Sequence, residues 1–408
     1  MPQSWTPMRW PSQWKDPAIL DLLKGSAIDY LLLGDEPDLA AVRKRALADG
    51  LAASAAAPPG VHTVTGSWPG VKMGRRGGVS AGPTAAPWVD SNGWAVRLAR
   101  ALHPEAAVWV DAPPSTSAFI TADSYRLAVA DTAACGGRWI VSLDNSLATS
   151  LASGDANALA TWRKLAAAAG FFAARKHWLA YAPLAVIGVL SSYSGENEFL
   201  GQELLNLLGR VGAHYRVLPK DAVGDASFES LRALLYADAE PPSGALRERV
   251  LGFVAAGGML ITGPRWGSLP GAPAGEGSLP HFSMRLLGKG RIAVADPALE
   301  DPFEWAADSV LLVSHRYDLV RFWNSGATGS FCAASPDGRR SVAHLLFYTG
   351  RMTAESAAVR IAGRYRSVRA STIDQPELPL VDTQRGADAI EVHLPPVAQY
   401  VALELEND

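Results

Sequence analysis

Cysteine is nearly missing from this sequence: 408 residues hold two, Cys135 and Cys332, far apart. A disulfide framework needs an even set of cysteines at short spacings and a thiolate metal site needs them clustered, so both are excluded. The two thiols read as small core residues. Histidine is no more promising for metals, because the eight, at 62, 103, 177, 214, 281, 315, 344 and 393, never fall at the i, i+4 spacing of a helical ligand pair. No metal and no cofactor is expected. Charge of one sign is also missing. A formal net charge of −3 provides no field to gather nucleic acid or an anionic membrane surface, so neither is an expected partner. Long apolar runs are absent too: the longest, Ala182 to Leu190, is about half of what a bilayer requires and reads as a buried strand. Met1 to Lys15 carries Pro2, Pro7 and Pro11 with three tryptophans and no apolar core, which is not a signal peptide. A cytoplasmic location is the default expectation, or a secreted or periplasmic one if a leader has been removed.

What is present is a globular composition, 48% hydrophobic and 19% charged, sufficient for several cores. At roughly 100 to 200 residues per domain the length predicts two to four domains. The patterning divides it into three: residues 1–181, 182–305 and 306–408.

The first part alternates apolar runs with amphipathic stretches. Ile28–Leu33, Val61–Thr65, Ala107–Val110 and Trp139–Leu143 are continuously apolar, as parallel strands buried on both faces are. Trp94, Leu98, Ala101 and Leu102 share one helical face, and Trp162, Leu165, Ala169 and Phe172 do much the same. A β/α repeat follows, and four legible strands in about 180 residues suggest a partial (β/α) barrel, since a full one takes about 250. Lys72 to Pro87, rich in Gly, Arg and Pro, is too long for an ordinary connector and reads as a functional or mobile loop.

From Ala185–Leu190 the pattern is strand, loop, helix through Leu204, Leu205 and Leu208, then strands Tyr215–Leu218 and Leu234–Ala237. A helix from Leu246 through Val254 ends at Gly257-Gly258 and runs into strand Met259–Thr262. With Ile292–Ala295 as the last strand, this is a flavodoxin-like doubly wound sheet, and Gly267 to Gly277 is a surface insertion. Beyond Leu311, Ser341–Tyr348, Ala358–Ile361, Ser367–Thr372, Ile390–Leu394 and Tyr400–Glu404 follow one another largely without helices, predicting an antiparallel β-sandwich.

The run ALRERVLGFVAAGGMLITGP, preceded by LLYADAEPP, resembles the helix-Gly-Gly-strand element of the class I glutamine-amidotransferase-like domain that stands behind the catalytic barrel in several glycoside hydrolase families, including the bacterial β-galactosidase type. FFAARKHWLAYAPLAVIGVLSS is similar to the final barrel helix of such enzymes entering that domain. HLLFY, VRIAGRYRSVRA and IEVHLPPVAQYVALELE are similar to their small closing β domain. The middle part has no cysteine, so amidotransfer is excluded. The resemblance spans residues 100–408, rests on the order of elements, and implies a carbohydrate ligand and a middle domain that can serve as an oligomerisation surface, hence a possible homo-oligomer.

A glycosidase needs two carboxylates flanking the scissile bond. Acids stand where a barrel would place them, at strand C-terminal ends: Asp35 and Glu36, Asp111, and Asp144. Asp111 and Asp144 are the expected catalytic pair; the plainer reading of each is a helix N-cap. Trp88-Val89-Asp90-Ser91-Asn92-Gly93-Trp94 gathers aromatics, an acid and an amide before a helix, so Asp90, Asn92 and Trp94, with Trp68 and Asn145, form a candidate sugar subsite, or else a cap with core tryptophans. Glu196 and Glu198 follow the first strand of the middle part, at the crevice where doubly wound sheets bind ligands, or they are carboxylates stabilising a helix N-terminus. Gly78-Val79-Ser80-Ala81-Gly82 matches a nucleophile elbow but lacks the preceding strand, and Lys72, Arg75 and Arg76 read as a solvated basic loop. The expectation is a glycoside hydrolase acting on an oligosaccharide or polysaccharide-derived glycoside. The alternative is a non-catalytic carbohydrate-binding or assembly protein with a degenerate barrel.

Overall fold

The structure, a computed structural model, describes residues 6–74, 78–82, 87–274, 279–349 and 356–407. Arg75, Arg76 and part of the Gly267 to Gly277 insertion lie outside the described residues. The chain is a mixed α/β protein with two parallel sheet systems and a separate antiparallel region.

The first system contains six parallel strands: β1 (Pro7–Arg9), β2 (Tyr30–Leu32), β3 (Ala52–Ser54), β4 (Val61–Thr65), β5 (Ala107–Asp111) and β6, which runs as Arg138–Trp139 and Val141–Ser142 about Ile140. β1 pairs with β2 and β2 with β3; β4 pairs with β5 and β5 with the first half of β6. The second half of β6 returns to β1, so the last strand lies beside the first. Among the described residues no pairing joins β3 to β4, and the ladder is open there. β1 and β3 carry no run of Val, Ile or Leu, whereas the equally short β2 lies inside the Ile28–Leu33 run, which is why only four were legible.

Parity within the strands sorts their side chains. Leu31, Val108, Val110, Trp139 and Val141 face the surrounding helices α1 (Ala40–Ala48), α2 (Gly93–Leu102), α3 (Ala122–Ala134), α4 (Asn145–Ala152) and α5 (Ala156–Ala174) in one large core. Their neighbours Tyr30, Leu32, Trp109 and Ile140 form a separate cluster inside the curl of the sheet. Trp109 fills it, fully buried and set edge-on to Tyr30 at 5.1 Å.

The second sheet runs in the order Tyr215–Pro219, Ile187–Ser191, Ala233–Tyr236, Met259–Thr262, Gly290–Ala295, all parallel, then Phe282–Leu287 and Ala272–Pro273 antiparallel at the edge. Helix α6 (Glu198–Arg210) packs with α8 (Pro302–Val313), and α7 (Gly244–Ala255) covers the other face.

Two antiparallel sheets follow, Ala182–Pro183, Thr328–Ala334, Arg340–Phe347, Gln399–Asn407, Tyr365–Ser371 and, against it, Val320–Trp323, Ala358–Ala362, Ala389–His393, Asp382–Arg385. Arg340–Phe347 is buried from Ser341 onward because both its faces are covered. Ala343, Leu345 and Phe347 point between the two sheets, whereas Val342, Leu346 and then Tyr348 join the core of the first system.

Candidate functional site

The C-terminal ends of β1, β6 and β5 lie side by side, with Arg9 in register with Ser142. Met8, Val110 and Val141 point outward to the helices, so the next residue on each strand points inward: Arg9, Asp111 and Ser142. They form a polar layer above Trp109 and Ile140. Arg9 donates from Nη2 to Asp111 Oδ2 at 2.7 Å. Three atoms of this layer are buried without a partner: Arg9 Nε, Asp111 Oδ1 and Ser142 Oγ. Buried polar atoms are nearly always satisfied, and each orphan costs about 1–3 kcal/mol. Three in one place mark a surface prepared for a polar ligand or ordered water.

Above them opens a cleft of about 380 Å³, whose wall includes Arg9, Gln13, Glu36, Ser142 and Asn145 with Trp10 beside them. Trp10 is held by its own indole N–H, which donates to the Trp14 carbonyl at 2.9 Å, and by edge-on contact with the Trp14 ring. Glu36 folds back over Gly34, where any Cβ would collide with its carboxylate. Asn145 reaches the Thr116 carbonyl at 3.3 Å.

Asp144 has a different occupation from the one expected of a catalytic acid. It is 1% exposed and caps α4, with Oδ1 accepting from Leu147 N–H at 3.0 Å. Oδ2 accepts from the Tyr125 hydroxyl at 3.1 Å and from Ile120 N–H at 3.4 Å. The carboxylate is consumed by protein donors beneath the cleft wall, so it is a cap and a brace. Replacing it with alanine is expected to cost about 2–4 kcal/mol, the loss of the cap plus two stranded donors. Urea unfolding measures this, and a loss under half a kcal/mol refutes the bracing role.

The remaining expected residues are dispersed. Trp68 packs edge-on against Tyr125 and Trp139 at 5.3 and 5.1 Å, so its faces serve the core. Asn92 is buried: Oδ1 accepts from Ser67 N–H, Nδ2 donates to the Ser67 carbonyl and to Asp131, and its backbone N–H donates to Asp131 at 2.8 Å. Trp94 is partly buried against the core of the second sheet. Asp90 lies 3.7 Å from Arg210, whose guanidinium stacks on Trp88 at 3.6 Å. Glu196 and Glu198 are exposed at the start of α6.

The crevice beside them is closed by residues the sequence did not single out. Asp238 is 5% exposed and accepts from Ser192 N–H and from Lys220 Nζ, each at 3.0 Å. Lys220 also pairs with Glu240, and Asn197 joins Glu240 to the Ala239 N–H. Every arm of this network ends on protein, so it has the character of a plug. Tyr193, in the left-handed region at φ 51°, is held there by hydrogen bonds to Ser191 and Val189. The Gly78 to Gly82 stretch carries isolated antiparallel bridges, and among the described residues no strand there leads into a helix.

Among the described residues no group of three or more His, Cys, Asp or Glu side chains is placed to hold a metal ion, and no helix is long and apolar enough to cross a membrane.

Solved glycoside hydrolases are structurally similar to this chain. An α-L-fucosidase isoenzyme 2 from Paenibacillus thiaminolyticus shares 11% identity at a TM-score of 0.49, over 74% of this chain and 60% of that one. A β-galactosidase from Rahnella sp. R3 shares 11% at 0.46, over 77% and 57%. A β-galactosidase from Bacillus circulans sp. alkalophilus shares 10% at 0.44, over 74% and 60%. The chain therefore spans about 60% of the length of these proteins. No protein-family model matches the sequence, and no curated protein matches it.

Proposed function

We propose that this chain is a glycoside-hydrolase-like, carbohydrate-active protein whose sugar site is the cleft above β1, β5 and β6. The observation that carries the reading is the trio of orphaned polar atoms on Arg9, Asp111 and Ser142 at inward positions on adjacent strand ends. A sugar presents hydroxyl groups that both donate and accept. It can satisfy a guanidinium N–H, a carboxylate oxygen and a serine hydroxyl at once. The division into residues 1–181, 182–305 and 306–408 is part of this proposal, with the cleft belonging to the first.

Hydrolysis requires a second carboxylate. With Asp144 consumed as a cap, Asp111 is the acid with an unpaired oxygen, buried in the polar layer, and Glu36, in the cleft wall, is the carboxylate this reading pairs with it. A second reading, sugar binding without hydrolysis, is favoured by the Arg9–Asp111 ion pair, which ties one oxygen of Asp111 to a fixed cation.

Calorimetric titration with a panel of mono- and oligosaccharides, beside turnover of the matching aryl-glycosides, tests both. Asp111→Asn is expected to weaken the best ligand by about tenfold or more, because a charge-assisted hydrogen bond is lost, while Asp144→Asn leaves affinity within about twofold. If turnover is seen, Asp111→Asn and Glu36→Gln abolish it; binding without turnover selects the second reading. Equal affinity of wild type and Asp111→Asn refutes the site.

A further inference from the structure

A second space, apart from the cleft, has no part in the function proposed above. A cavity of about 390 Å³ lies where α2, α6, α8 and the sheet containing Thr328–Ala334 and Arg340–Phe347 come together, and it shares no wall residue with the cleft. Its wall is mostly carbon, with Trp88, Val211, Phe303, Phe331 and Leu346 contributing side chains. Gly93, Gly209 and Gly329 keep it open: a Cβ at Gly93 or Gly329 would come within 3.0 Å of Cys135 Sγ or the Tyr348 ring, and one at Gly209 within 3.5 Å of Arg97.

Two guanidinium groups face this carbon-lined space, and their situations differ. Arg210 is stacked on Trp88 and compensated by Asp90. Arg97 lies 3.8 Å over the Tyr215 ring, and its Nε donates to the carbonyl of Gly93 within its own helix. Among the described residues neither of its Nη atoms has a hydrogen-bond partner, and no carboxylate stands within 4 Å of it. The one acid in the cavity wall, Asp131, is fully engaged by neutral donors: Tyr348 Oη at 2.7 Å, Asn92 N–H at 2.8 Å and Asn92 Nδ2 at 3.0 Å. Burial is the largest influence on its pKa and raises it, and the charge of Arg97, beyond ion-pair distance, acts as the last and opposite influence. A half-buried guanidinium with its back fixed on an aromatic ring and its fork open to an apolar cavity is built for a planar anion of two oxygens.

We propose that this cavity binds a small organic monocarboxylate with an apolar, aromatic body, the carboxylate gripped by Nη1 and Nη2 of Arg97. The rings of Trp88, Phe303 and Phe331 enclose the body, and Ser330, whose hydroxyl stands 3.3 Å from His214 Nε2, marks the polar end of the cavity. A free sugar is disfavoured, since the carbon wall offers its hydroxyls few partners. A purely apolar ligand leaves both Nη atoms of Arg97 without a hydrogen-bond acceptor.

Thermal denaturation of the full chain with benzoate, phenylacetate and cinnamate, each against its neutral amide, tests the assignment. At least one acid is expected to raise Tm saturably while its amide does not, because the amide cannot supply the charge. Arg97→Met is expected to abolish the rise or weaken the acid by about tenfold or more, and Asp111→Asn, in the separate cleft, to keep it. Absence of a saturable rise with all three acids overturns the proposal, as does equal stabilisation by acid and amide. Should Arg97→Met not fold, the acid-against-amide comparison on the wild type decides alone.

Discussion

Acidification from neutrality is expected to destabilise this protein steeply, by about 3 kcal/mol per pH unit at most, through two buried histidines. His214 is 5% exposed and His344 2% exposed, and burial pushes the pKa of each down from 6.5 to about 3. The fold therefore holds both rings neutral, whereas the unfolded chain protonates them as soon as the pH falls through about 6.5. The unfolded state binds more protons throughout that window. The stability these rings contribute is fully present above the unfolded value and is lost as the pH falls toward about 3. Among the described residues no carboxylate pairs with either ring. His344 meets the Tyr400 hydroxyl at 2.6 Å and the edge of Trp178, and His214 meets Ser330 and feels the positive charge of Arg97. Asp131 and Asp29 act in the opposite sense, since burial raises both and the folded chain takes up their protons at higher pH than the unfolded one; they offset part of the loss at the acid end. Urea unfolding between about pH 7 and 5 reads the slope directly, and His344→Phe is expected to remove about half of it. A variant with the slope of the wild type would remove His344 from this account.

His344 also shows why some of the fold was legible in the sequence and some was not. The run from Ser341 to Tyr348 announces a strand by its length and apolarity, yet nothing local says that its alternate residues serve two different cores. The same holds for the parallel strands. Ala107–Asp111 and the Trp139 to Leu143 run are visible because both faces are covered, while Pro7–Arg9 has three residues, a proline and a cation, and exists only because β2 and β6 flank it. The polar layer of the cleft was half legible. Asp111 stands out as an acid closing an apolar strand, and strand parity counted from an inward Trp109 points it inward. Arg9 and Ser142 come from strands that meet Asp111 across more than a hundred residues and across thirty, respectively, so no local pattern joins them. Asp144 illustrates the converse. An acid after a strand is also an acid before a helix, and Leu147 N–H together with Tyr125 decided which chemistry it serves.

Asp131→Leu is expected to cost roughly 3–6 kcal/mol, which makes it among the most damaging single changes available outside the apolar cores. The carboxylate belongs to α3 yet accepts from Asn92 at the start of α2 and from Tyr348 at the end of the Arg340–Phe347 strand, so it fastens the first sheet system to the antiparallel region. Leucine fills the space and accepts nothing. Two N–H groups and one hydroxyl then lose their acceptor in a buried site, at about 1–3 kcal/mol each with partial relief by relaxation. Asp131→Asn keeps one acceptor oxygen and is expected to lose about half as much, because its amide nitrogen meets one of the donors head-on. The test that separates lost hydrogen bonds from lost shape is a double-mutant cycle. Tyr348→Phe removes one of the stranded donors, so Asp131→Leu in that background is expected to cost about 1–2 kcal/mol less than in the wild type. Strict additivity in urea unfolding would mean that Tyr348 and Asp131 do not share their burden, and the fastening between the two regions would then have to reside in apolar contact alone.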